Sequence, residues 1–87
     1  MATAIAVQLV EEALDHICQE LEHANARHSN FHSIQEGYCV IDESLIQLRK
    51  LMTDFKREDW NKDLMYRRLT KIAAMTLKLM RQFPNLK

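Results

Sequence analysis

Residues Ser33 to Phe55 read SIQEGYCVIDESLIQLRKLMTDF. Within them Ile34, Tyr38, Ile41, Leu45, Leu48, Met52 and Phe55 recur at alternating four- and three-residue steps, which at about 100° per residue places them on one side of an α-helix. Its start is marked locally. Ser33 and Glu36 have capping-box spacing, so the Ser33 hydroxyl is expected to accept from the Glu36 amide while the Glu36 carboxylate returns to the Ser33 amide. A second row, Val40, Ser44, Gln47 and Leu51, lies well round the helix and needs cover from a different neighbour. This helix is therefore expected at the centre of the fold.

On the N-terminal side, Val10, Leu14, Ile17, Leu21 and Ala24 predict a helix over Thr3 to Ala26, with Glu12, Asp15, Gln19, Glu22 and His23 pointing away from its stripe. His16 and His23 share that helix but stand about 10.5 Å apart along its axis, too far for one metal without further ligands. Residues Arg27 to His32 read as a polar connection with Phe31 turned inward, and His28 and His32 as loop residues. On the C-terminal side the central helix should fade at Phe55 to Arg57. Asp59 or Asn61 can cap a third helix, Asp63 adds first-turn negative charge, and Trp60 closes the end of the bundle. Met65, Leu69, Ile72, Thr76, Leu79 and Phe83 repeat the four-and-three rhythm, with Ala73 and Met80 widening the stripe and Met65, Met75 and Met80 reading as core filling. Pro84 ends that helix near Phe83.

An 87-residue chain, 47% hydrophobic and with one Gly and one Pro, fits one all-α domain over residues 1–87. A domain of this size buries only about 60 to 65% of its unfolded surface, so a helix needing cover on two sides favours a homo-oligomer, dimer or tetramer, that completes a four-helix-bundle-like core. The lack of a long apolar run or a basic, apolar leader suggests a cytoplasmic protein without membrane contact. Cys18 and Cys39 have no CxxC spacing and read as reduced filler. Charge is segregated: eight acidic residues stand against Arg27 alone up to Leu48, and eleven basic against four acidic from Arg49 onward. Facing helices of opposite sign account for this, or a basic half that holds phosphate. No helix-turn-helix, zinc finger or aromatic platform points to nucleic acid. With Gly37 the sole glycine there is no phosphate-cradling loop, and no nucleophilic triad spacing appears.

Phe31-His32-Ser33-Ile34-Gln35-Glu36-Gly37-Tyr38-Cys39-Val40-Ile41-Asp42-Glu43 resembles the F-x-S-x-H-E-G-Y-A-V-I-x-E-E-x-x-E-L segment of MazG-like proteins, the all-α nucleoside triphosphate pyrophosphohydrolases. Ile72-Ala73-Ala74-Met75 is similar to the V-A-A-M of that family's later helix. The resemblance implies a dimerising helical bundle that holds nucleotide and magnesium among its helices. It also implies that the chemistry is lost. Of the family's acidic set, Glu43 alone is retained; Ser44 and Gln47 replace the next two carboxylates, Arg68 and Lys71 stand where the second motif has Glu and Asp, and Gln35 replaces a His.

Magnesium takes hard anionic oxygens, and a guanidinium with an ammonium would repel it. Glu36 and Glu43, two turns apart, are too distant to share an ion and read equally as a cap and a solvated carboxylate. If the second and third helices pair as in the family, Arg68 and Lys71 face Glu43 and a salt bridge replaces the metal. The leading expectation is thus a catalytically degenerate pyrophosphohydrolase-like protein, without cofactor, serving as a structural, regulatory or protein-interaction module. One alternative is a metal-independent nucleotide or phosphate binder using Arg68 and Lys71, with Glu36 and Gln35 as further contacts. Another is an active magnesium enzyme with rearranged ligands.

Overall fold

The computed structural model describes residues 2–27, 30–53 and 61–86, with side chains at 7–26, 30–53 and 61–86. Three helices carry them: α1 (Ala2–Arg27), α2 (Ile34–Thr53) and α3 (Lys62–Gln82), the last running into a 3-10 turn at Phe83–Asn85. The fold is all-α, with no strand among the described residues. None of the described helices is long and apolar enough to cross a membrane. The expected roles of His28, Phe55, Lys56, Arg57, Asp59 and Trp60 fall outside the described residues.

Helix ends follow local chemistry. Ser33 Oγ accepts from the Glu36 amide at 3.0 Å, one half of the expected capping box. The other half is different: the Glu36 carboxylate turns to His32, accepting from its amide at 3.4 Å and lying 3.1 Å from its Nδ1, because His32 presents two nitrogens where Ser33 offers one. Asn61 is the cap of α3, its Oδ1 accepting from the Leu64 amide at 3.0 Å. At the far end Pro84 lies in the 3-10 turn that follows α3, and the Leu86 amide donates to the Phe83 carbonyl.

The helix that both others pack on is α3, not the expected α2. His16 meets Tyr66 while Leu21 and Asn25 lie beside Lys78 and Gln82, so α1 and α3 run in the same direction. Gly37 meets Leu79 while Val40 and Ile41 pack on the cluster holding Met75, so α2 runs against α3. Small residues set these approaches. Ala74 is wholly buried and packs in one cluster with Ala24, and Gly37 lets α2 close on Leu79. A β-carbon at Gly37 would stand 2.6 Å from Leu79 Cδ1 and 3.1 Å from Phe31 Cδ2. Gly37→Leu should therefore destabilise the protein by about 2 kcal/mol, overpacking outweighing a helix-propensity gain of about 0.8 kcal/mol. That is roughly 10 °C in a thermal melt; an unchanged melting temperature would contradict the close α2–α3 approach.

The core is small: Ala24, Phe31, Ala74 and Met75, ringed by Ile17, Leu21, Val40, Ile41, Leu79 and Leu86. Phe31 is turned inward as its position suggested. Several apolar side chains expected inside are outside. On α2, Tyr38, Leu45 and Met52 are exposed and the row through Gly37 and Ser44 is the buried one. On α3, Leu69, Met80 and Phe83 are exposed, while Met75 and Lys78 turn inward. On α1, Val10 and Leu14 are exposed and the inner part of the stripe begins at Ile17. Cys18 and Cys39 are exposed thiols rather than filling. Lys78, only 4% exposed, lays its ammonium 4.9 Å from the centre of the Phe31 ring, a contact that lets a long cationic side chain line a core.

The resulting body is flat, 41 × 37 × 20 Å, with a radius of gyration of 14.9 Å, where a monomeric domain of this length has roughly 12 Å. Its accessible surface is 7040 Å². Monomers of 10.3 kDa expose about 5,350 Å², so this chain carries a surplus of about 1,700 Å².

Candidate functional site

Arg68 and Lys71 stand three residues apart on α3, and Arg67 stands four before Lys71, so the three cations are neighbours on the helix surface. They line a cleft of about 490 Å³ between α1 and α3, together with His16, Glu20, Leu64, Tyr66 and Thr70. At its edge the Tyr66 hydroxyl and His16 Nδ1 share a hydrogen bond of 2.7 Å, and the two rings meet edge-on at 5.5 Å between centroids. Arg68 and Lys71 are half-buried. The Arg68 Nε is inaccessible to solvent and has no hydrogen-bond partner. Leaving such a donor unmade costs about 1 to 3 kcal/mol.

The ion pair expected between Glu43 and these cations does not form: Glu43 is exposed, and among the described residues neither Arg68 nor Lys71 has a carboxylate within ion-pair distance. The reason lies in helix azimuth. Ser44 is the residue that faces inward, its Oγ donating to the Val40 carbonyl at 3.2 Å, and Glu43 is about 100° away from it round α2. Gln47 is half-buried, with an inaccessible Oε1 that has no partner either. Gln35 and Glu36 occupy the first turn of α2, beside Gly37, which faces Leu79. Arg68 precedes Leu79 by eleven residues, about 16 Å of helix rise, so Gln35 and Glu36 are not part of the Arg68 and Lys71 cleft.

The positions that the resemblance assigns to magnesium thus supply one exposed carboxylate, a hydroxyl, a carboxamide and two cations, a donor set that does not suit a hard divalent ion. Nowhere among the described residues do three or more His, Cys, Asp or Glu side chains gather closely enough to hold a metal.

His16, Tyr66 and Arg67 are the site residues that sequence reasoning overlooked. The Arg67-Arg68-x-x-Lys71 run was visible, but only a partner helix could show which of its neighbours faced it. No protein-family model, curated protein or solved structure matches this chain. The resemblance to MazG-like proteins therefore rests on the Phe31 to Glu43 and Ile72-Ala73-Ala74-Met75 segments alone.

Proposed function

We propose that this chain is a catalytically degenerate, MazG-like helical protein whose role is interaction: a cytoplasmic protomer that completes its fold against further copies of itself. What supports this is one exposed apolar face. On α2, Tyr38 and Leu45 stand about 100 to 120° round from Ser44, which faces inward; on α3, Leu69 and Met80 stand about 80 to 100° round from Leu79, which faces Gly37. The two helices are antiparallel, so offsets of the same sense bring both sets to one side of the pair. Ala74, where α1 packs, is offset the other way. The face therefore lies opposite α1, with Tyr38 62%, Leu69 53% and Met80 64% exposed.

A standard interface buries about 800 Å² on each partner and obligate homodimers bury more, a range that the surplus of about 1,700 Å² reaches. Fully buried interface cores are depleted of charge and rich in large apolar side chains, the kind that Tyr38, Leu45, Leu69 and Met80 supply here.

The test has two parts. Sedimentation equilibrium at micromolar concentration should give twice or four times 10.3 kDa, and a species of 10.3 kDa throughout would remove the assembly. Incubation with the common nucleoside triphosphates plus magnesium or manganese should release no pyrophosphate. Steady release that Glu43→Gln abolishes would instead establish an active enzyme with rearranged ligands.

A further inference from the structure

We propose that the N-terminal half of α1 is a docking seam for a basic amphipathic helix of a partner protein. The inference stands apart from self-assembly, because the apolar face assigned to that role lies on the side of the α2–α3 pair opposite α1.

Val7, Val10, Leu14, Ile17, Leu21 and Ala24 recur at strictly alternating three- and four-residue steps, the a and d rhythm of a helix that packs lengthwise on another. Within the chain only the second half of that seam is filled. Ile17, Leu21 and Ala24 belong to the core, whereas Val7, Val10 and Leu14 are 50%, 57% and 48% exposed. Helix length is the reason. His16 meets Tyr66, which lies four residues, about 6 Å of rise, after the first residue of α3. Since α1 and α3 run in the same direction, α3 begins near the level of Glu12, and Val7 and Val10 lie beyond it. The exposed stripe thus continues the α1–α3 interface past the point where α3 can cover it.

Charge names the occupant. Residues 7–26 of α1 carry Glu11, Glu12, Asp15, Glu20 and Glu22 without a Lys or Arg. Glu11 stands four residues after Val7 and three before Leu14, so it borders both on the helix surface, and Asp15 extends the row by a turn. Both are exposed. The helix that fills the other half of the seam has the opposite character: α3 bears Lys62, Arg67, Arg68, Lys71, Lys78 and Arg81 against Asp63 alone. A partner that prolongs this packing brings apolar side chains at a and d with Lys or Arg beside them, since flanking charges choose the partner of such a seam. A second copy meeting the stripe with its own α1 would set carboxylates against carboxylates, and an anionic bilayer repels the same row.

Fluorescence anisotropy of the full chain with a labelled synthetic helix, at about 0.15 M salt, reads this directly. The probe repeats a heptad with Leu at a and d, Lys at e and g, and Ala and Gln elsewhere; its twin carries Glu in place of Lys. Saturable binding of the Lys peptide is expected, weakening as salt rises further, with the Glu twin about tenfold weaker because like charges then face one another. Val10→Glu and Leu14→Glu should each lower the affinity for the Lys peptide by about tenfold, as each puts a carboxylate into the covered seam. Glu11→Lys combined with Asp15→Lys should invert the order, so that the Glu twin binds tighter. Glu43→Lys, the same reversal at an exposed site on α2, should leave both affinities unchanged. Circular dichroism checks that each variant is folded; the double charge reversal serves if Val10→Glu is not. Absence of saturable binding, equal affinity for the two peptides, or an effect of Glu43→Lys matching that of the double reversal overturns the assignment. A monomeric Val10→Glu chain does so too, since the stripe then belongs to a second copy.

Discussion

Phe31→Ala should lower the melting temperature by roughly 20 °C. Truncating a buried phenylalanine costs about 3 to 5 kcal/mol, and each kcal/mol shifts a domain of this length by about 4 to 8 °C. The upper part of the range applies because Phe31 performs several tasks at once. It is one of the four buried apolar residues, its ring lies under the Lys78 ammonium, and its amide donates to Gln82 Oε1 at 3.2 Å, tying the α1–α2 connection to the end of α3. Removing the ring leaves a cavity and takes the aromatic face from a cation that is 4% exposed. With total stability of order 4 to 13 kcal/mol for this length, such a loss leaves little reserve. Phe31→Leu separates the contributions: it keeps most of the volume and loses the ring, so it should cost about 1 to 2 kcal/mol. Melts followed by circular dichroism at one fixed protein concentration measure both, since association makes the midpoint concentration-dependent. A change under 1 kcal/mol in Phe31→Ala would mean that the small core is not what holds the three helices together.

Local features of the fold were legible in the sequence, and their reasons are local. The four-and-three rhythm marks helices whatever they pack on, Ser33 and Asn61 cap through their own side chains, and Pro84 ends α3 by lacking an amide hydrogen. Helix azimuth was not legible. A run such as Leu69, Thr76 and Phe83 announces an apolar face without naming what covers it, and the structure turns that face away from α1 and α2. The choice falls to the small residues Ala24, Gly37 and Ala74, which permit close approach and so bring Met75 and Lys78 inward on α3. The same rotation decided the candidate site. Arg68 and Lys71 were identifiable as cations beside one another, yet the expected counter-ion Glu43 is on the wrong side of α2, and the cleft they line is shared with Glu20 and His16 of α1, without an ion pair among them. Charge segregation along the chain could not anticipate this, since it records which segments carry each sign and not which residues of a helix look at one another.

Leu45→Glu and Met80→Glu should each dissociate the assembly into chains of 10.3 kDa while leaving the helices of the single chain formed. Both side chains are exposed in the protomer, so a carboxylate there stays hydrated when the chain is alone and burdens its folding little. Within an assembly that covers the face, the same carboxylate is stripped of water without a cation to meet it, at a cost of several kcal/mol. In a two-fold symmetric interface each substitution occurs twice, so the cost about doubles and the dissociation constant should rise by several orders of magnitude. Tyr38→Phe, which removes a hydroxyl and keeps the ring, should leave the mass unchanged. Val10→Glu supplies the decisive contrast, because Val10 is also exposed and apolar but lies on α1. Sedimentation of the four variants at equal concentration, with circular dichroism to verify helicity, distinguishes the faces. If Val10→Glu yields monomers while Leu45→Glu and Met80→Glu retain the parent mass, copies meet through α1, and the side of the α2–α3 pair opposite it is not where the surplus surface is buried.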